Sequence, residues 1–180
     1  MNLKELTWEN HKKAERKEFA GLLMSGNISP RLYYKYLTNQ FYMYVALEQA
    51  LRNVGFNNEK VFRAELMRDD MQELEREFGF VYDPVNLCKV TSEYITHIDN
   101  LFLNEDRDGL ISHMYVRHFG DMYGGAMIAK RVPGSGKMYE FEDKEELKTE
   151  LRAMLDDSMA DEANRCFEYA VRLFEELVDE

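Results

Sequence analysis

The sequence predicts an all-α protein, a single helical domain of about seven helices spanning residues 1–180. Three features carry this reading. Only three prolines occur, at positions 30, 84 and 133, so long stretches are free of the strongest helix breaker. Between them, apolar residues recur every three or four positions, the spacing that gives a helix one buried face. Residues that start and stop helices stand where those runs begin and end.

Asn2 and Glu5 are spaced as a capping box, opening a first helix expected to run to Phe19 or Leu23. Ser29-Pro30 supplies an N-cap and an N1 proline to a long second helix. Its stripe is Tyr33, Tyr36, Leu37, Phe41, Tyr44, Val45 and Leu51, and it ends before Gly55. A third helix is expected from Glu59 to Phe78, closed by Gly79, and a fourth from Ser92 to Asn104. Asp108 caps a fifth over Gly109 to Val132, and Asp143 with Glu146 caps a sixth reaching Asp156. Ser158 starts a seventh, with Ala163, Phe167, Ala170, Val171 and Phe174 on its apolar face. No internal repeat, low-complexity tract or linker divides the chain.

Composition excludes several classes of function. Twenty-three basic against 34 acidic residues give a net charge of -11, which repels a phosphate backbone and argues against nucleic acid as a partner. Lys12, Lys13, Arg16 and Lys17 form a local basic cluster that suits an acidic partner. No apolar run approaches the length of about 20 residues that a membrane span needs, and the first residues lack a secretory h-region. A soluble, cytoplasmic protein is expected, with no membrane partner. Cys88 and Cys166 are far apart and form no CxxC, so reduced structural thiols are expected.

The fifth helix is the unusual one. Gly120, Gly124 and Gly125 sit inside it, each costing up to about 1 kcal/mol relative to alanine. Gly120 and Gly124 lie one turn apart on one face and open a shallow trough, into which another helix or the flat side of a planar ligand can fit. Asp121 beside the trough is costly to desolvate without a partner, and ordered water is the evident one.

Among the four histidines, His11 stands out. Glu15, four residues on, shares its helix face and can accept a hydrogen bond from one ring nitrogen while the other binds a metal. His113 and His118 are five apart and poorly placed to chelate one ion together. No HExxH or ExxH occurs, so zinc hydrolysis and a ferritin-type di-iron site lack a local motif. Gly134-Ser135-Gly136-Lys137 lacks the GxxxxGK[ST] spacing and reads as a flexible turn.

The segment Tyr115 to Lys130, with its Gly120-Asp121-x-x-Gly124-Gly125 core, resembles the distal-helix signature of the haem oxygenases. Thr7-x-x-x-His11-x-x-Ala14-Glu15 resembles that family's proximal helix. Tyr44-Val45-Ala46-Leu47-Glu48 and Leu173-Phe174-Glu175-Glu176-Leu177 resemble two further segments, in the family's order.

The resemblance implies a haem sandwiched between a proximal and a glycine-rich distal helix, with haem b as substrate and cofactor and its iron held by His11. Glu15 would orient that histidine. Asp121, Tyr115 and the backbone at Gly120 and Gly124 would serve catalysis through a distal water network that delivers protons for oxygen activation. Thr7, Gly125 and the cations Lys4, Lys148 and Arg152 would complete the haem site, the cations meeting the propionates. The sequence departs from the animal pattern at Trp8, His118, Tyr123 and Ala126.

The implied reaction cleaves haem at the α-meso carbon to biliverdin IXα, carbon monoxide and ferrous iron. It consumes molecular oxygen and electrons from a reductase, with ferredoxin the expected donor and a monomer the expected state. A non-catalytic haem or bilin carrier and a helical di-iron oxidase of related fold are the alternatives.

Overall fold

The computed structural model describes residues 2–179, and among these every regular element is helical. Ten α-helices follow in order: α1 (Leu3–Leu6), α2 (Trp8–Glu15), α3 (Glu18–Ser25), α4 (Pro30–Asn53), α5 (Ala64–Phe78), α6 (Lys89–Leu103), α7 (Arg107–Met114), α8 (Gly120–Ala129), α9 (Lys144–Arg152) and α10 (Ala160–Val178). A π-helical turn over Tyr115–Phe119 joins α7 to α8, and short 3-10 turns occupy Lys137–Tyr139 and Asp157–Met159.

Helix α4 is the axis of the fold. The Ser29 hydroxyl accepts the Leu32 amide and Pro30 takes N1, as the sequence predicts. Tyr33, Leu37, Tyr44, Leu47 and Leu51 are fully buried along it, each worth about 1.5–3 kcal/mol as apolar burial. This face lets α4 pack against α5, α6, α7 and α10 at once. Val45, expected in the stripe, is instead 38% exposed.

Other boundaries differ for identifiable local reasons. The expected first helix is three helices, broken at Thr7 and again at Arg16-Lys17. Asn2 makes no side-chain cap, and its amide instead donates to Asp157 Oδ1 at 2.8 Å, pinning the start of the chain to the turn before α10. Helix α5 begins at Ala64 rather than Glu59, because the buried Glu48 carboxylate accepts the Arg63 and Ala64 amides and fixes the helix start there.

Helix α6 starts at Lys89, ahead of Ser92, where Glu176 of α10 accepts the Lys89 and Val90 amides. Asp106, not Asp108, caps α7 through the Gly109 amide. Asp143 precedes α9 with φ of 52° and makes no capping bond, its carboxylate accepting Lys60 Nζ instead. Helix α9 ends at Arg152, before the expected Asp156, whose carboxylate caps the 3-10 turn through the Ser158 amide. The long seventh helix therefore begins at Ala160, two residues after Ser158.

The Gly134–Lys137 turn is pinned rather than flexible. Glu73 accepts from the Ser135 amide and hydroxyl, and Asp70 accepts the Lys137 and Met138 amides. Carboxylates thus occupy the concave face that a phosphate loop would offer to its ligand.

Candidate functional site

A cleft of about 680 Å³ opens between α2, α3 and α10 on one side and α4 and α8 on the other, within the usual range of about 300–1,000 Å³ for ligand pockets. Helix α2 packs on α10, and α8 on α3, so residues far apart in sequence face one cavity.

On the α2 wall stands His11, stacked on Trp8 at 5.3 Å and edge-on to Phe167 at 5.7 Å. Its Nε2 lies 2.7 Å from Glu15 Oε1. One ring nitrogen is thereby committed to a carboxylate one turn away, which leaves the other available to a metal.

The α8 wall presents Gly120, Asp121, Tyr123 and Gly124. A Cβ built at Gly120 would meet nothing within 4 Å, and one at Gly124 only Ile128 Cδ1 at 3.9 Å. These two glycines border open space, so a flat ligand can approach the backbone itself. Gly125 has a different role: a Cβ there would lie 2.7 Å from Tyr139 Cδ1, so it allows α8 to seat on the 3-10 turn and does not line the cleft.

Asp121 is the acidic group of the α8 wall. Tyr44 of α4 donates its hydroxyl to Asp121 Oδ2 at 2.7 Å. Burial pushes the Asp121 carboxyl up to about 6, against the Tyr44 hydrogen bond and the nearby His118, Arg63 and Arg117, which draw it down. Arg117 lies buried behind it, donating to Tyr94 Oη and Gln40 Oε1 at 2.9 Å each, while Gln40 Nε2 donates to Tyr36 Oη at 2.9 Å. Tyr36, Gln40, Tyr44, Arg117 and Asp121 form a polar patch of the cavity, across from His11 and Glu15.

Sequence reasoning overlooked Tyr36, Gln40 and Arg117 as site residues, and took Tyr44 for core. The available signal was a row of polar-tipped residues four apart, Tyr36, Gln40 and Tyr44, inside an otherwise apolar stripe. Phe167, Ala170 and Phe174 of α10 are half-buried because their face is a cavity wall rather than core, and buried Cys166 also reaches it.

Other expected site residues lie elsewhere. Tyr115 is half-buried against Phe119 at 5.6 Å and does not line the cleft. Thr7 is buried, its hydroxyl donating to Leu3 O at 2.9 Å where α1 meets α2. Lys4 is exposed on α1 and outside the lining. Lys148 Nζ and Arg152 Cζ sit 4.2 and 5.5 Å from the Tyr123 ring, at the rim rather than inside. In the basic cluster, Lys12 pairs with Glu9 and Lys17 with Glu175, while Lys13 and Arg16 are exposed.

Fold and site define an all-helical protein in which a carboxylate-backed histidine faces a wall of bare backbone across one cleft. The heme oxygenase family model matches residues 1–176, and the chain belongs to the haem oxygenase family. It is 29% identical to a heme oxygenase of Guillardia theta, over 98% of this chain and 85% of that protein. Heme oxygenase 2 of Macaca fascicularis is 28% identical over 97% of this chain, which spans 64% of that protein's length.

Among solved structures, the heme oxygenase of Leptospira interrogans superposes with a TM-score of 0.84 at 24% identity, covering 97% of each chain. Heme oxygenase-1 of Synechocystis sp. PCC6803, solved in complex with heme, gives a TM-score of 0.81 at 20% identity, over 99% of this chain and 93% of that one. These two likenesses establish the fold.

Proposed function

We propose that this chain, acting as one domain and as a monomer, oxidatively cleaves haem to biliverdin IXα, carbon monoxide and ferrous iron. The observation that carries this reading is the pairing, across one cleft, of the His11–Glu15 couple with a glycine wall that holds a carboxyl of near-neutral pKa. Haem, when bound, supplies the iron at which oxygen is reduced and the ring edge that is oxidised.

The residues present fit such a ligand. His11 offers an imidazole nitrogen to iron, and Glu15 fixes the ring's orientation. Gly120 and Gly124 would let a flat ring approach the α8 backbone. The apolar side chains of Leu23, Phe167 and Phe174 exclude bulk water from the cavity they line.

Asp121 supplies the proton chemistry. A carboxyl near pKa 6 is divided between its two forms at neutral pH, so it can take a proton from water and pass it on at Oδ2. Tyr44 holds that oxygen in place, and the buried Arg117–Gln40–Tyr36 row gives ordered water further partners. A haem carrier has no use for a carboxyl tuned in this way.

Lys148 and Arg152, both beside Tyr123, are assigned to the propionates, and those contacts would select the α-meso edge for oxidation. The electron donor is assigned as an acidic protein of the ferredoxin class, docking on Lys13 and Arg16, and the compartment as a soluble one. No helix among the described residues is long and apolar enough to cross a membrane. No group of residues among those described supplies the many carboxylates that a di-iron oxidase needs.

The test is direct. Purified protein is mixed with haem, then ferredoxin, its reductase and NADPH are added under air while absorbance is recorded. Loss of the haem band with growth of biliverdin absorbance is expected. An unchanged haem spectrum would identify a carrier, and absence of haem binding would overturn the reading.

A further inference from the structure

Outside the cleft, three helices bring together a second group of chemically competent side chains. His97 of α6, His113 of α7 and Glu162 of α10 are 65 or fewer positions apart in sequence and share no local motif. Each offers one ligand atom, and the three atoms lie within 4.8 Å of one another. His113 Nε2 is 2.8 Å from Glu162 Oε1, and His97 Nε2 meets the same oxygen.

We propose that His97, His113 and Glu162 form a binding site for one divalent first-row cation, zinc by the chemistry of its donors. Two imidazoles and a carboxylate are a donor set that zinc takes at about 2.0–2.2 Å, with the ligand atoms then about 3.3 Å apart. The His113–Glu162 contact of 2.8 Å would widen by roughly half an ångström to admit the ion, the other ligand atoms adjusting from separations within 4.8 Å. Two imidazole nitrogens directed at one carboxylate oxygen are the arrangement that a cation replaces, entering where the shared protons lie.

The surroundings suit a metal. His113 is fully buried, and its other nitrogen, Nδ1, lies 2.9 Å from Tyr94 Oη, which also accepts from Arg117 Nε. That contact fixes the imidazole plane, as the outer partners of metal-bound histidines do. The side chains of His97 and Glu162 keep 14% and 20% exposure, which leaves an entry path and a fourth position for water.

The site clamps three helices, one of which continues through the π turn into the α8 wall of the cleft. The Tyr94–Arg117–Gln40 hydrogen bonds connect it to the polar side of the cavity. An ion here therefore braces the scaffold behind Asp121 without touching it. This inference does not depend on what the cleft binds.

The experiment uses the full chain, free of any histidine tag and stripped with chelator, dialysed against micromolar zinc and assayed for bound metal by mass spectrometry. One equivalent is expected. His97→Ala and Glu162→Gln should each weaken binding by at least tenfold, while His11→Ala retains the equivalent. X-ray absorption of the zinc-loaded wild type should show two imidazoles with oxygen ligands and no sulfur, a result that stands even if a variant fails to fold. Wild type without bound zinc, equal affinity in the two folded variants, or a thiolate in the zinc shell would each overturn the site.

Discussion

The Tyr44 hydroxyl and the Asp121 carboxyl meet at 2.7 Å across the gap between α4 and α8. The bond joins the central helix of the fold to the wall of its cleft. It also opposes the effect of burial, stabilising the charged form of a carboxyl that burial alone would push higher.

Tyr44→Phe removes that hydrogen bond, so the Asp121 pKa rises above its present value of about 6. The pH limb of turnover that reports Asp121 should move to higher pH, read from biliverdin formation between pH 5 and 9. Asp121→Ala should still bind haem but lose about 10²-fold or more in turnover, the usual worth of a positioned proton donor. An unmoved limb in Tyr44→Phe would separate Asp121 from the rate.

Two glycines of α8 should respond differently to alanine. Gly120→Ala adds a Cβ that meets nothing within 4 Å, so stability should hold or rise by about 0.5–1 kcal/mol, with haem affinity and turnover reduced. Gly125→Ala drives a Cβ into the Tyr139 ring and should cost about 1–3 kcal/mol. Urea denaturation of the ligand-free variants distinguishes the two.

His11→Ala should keep the fold, since its ring is partly exposed and bonded only within α2. Resonance Raman of the haem complex should lose the iron-histidine stretch, and added imidazole should restore it. A retained stretch without imidazole would place the ligand elsewhere.

Glu48 is fully buried and accepts from the Arg63 and Ala64 amides while also meeting His118 Nε2 at 2.8 Å. Glu48→Ala strands all three partners and should cost about 3–5 kcal/mol, by analogy with a broken buried ion pair. The midpoint of chemical denaturation measures it.

Arg152→Glu reverses a charge beside Tyr123 at the cleft rim. Since about 1.4 kcal/mol is a tenfold preference, one altered propionate contact should be enough to mix the products. Chromatography against the four biliverdin isomers should show chiefly IXα from wild type and a mixture from the variant. A wild-type product dominated by the β or δ isomer would refute the propionate assignment.

The legible parts of the molecule were those written in short-range spacing. Ser29-Pro30 starts α4 as expected, His11 and Glu15 share a helix face, and Gly120 and Gly124 form one bare surface, because each relation spans one turn or less. Relations made by tertiary packing were not legible. Glu48 starts α5 from another helix and Glu176 starts α6 from α10, so neither boundary follows from local caps. Tyr44 reads as core until α8 lies against it. His97, His113 and Glu162 share no spacing rule because three separate helices bring them together.

The π turn at Tyr115–Phe119 sets the rotational phase of everything after it. One residue advances an α-helix by about 100°, and a π turn absorbs such an increment without interrupting the helix. His118 and Phe119 thereby point into the packed interior while Gly120, Asp121 and Gly124 turn toward the cavity. Two faces with incompatible demands, one bonded into the core and one left bare, are carried by consecutive residues of a single rod. The turn is in effect a gear tooth, and changing the number of residues between Met114 and Gly120 would rotate the glycine wall out of alignment with His11 without altering any side chain in it.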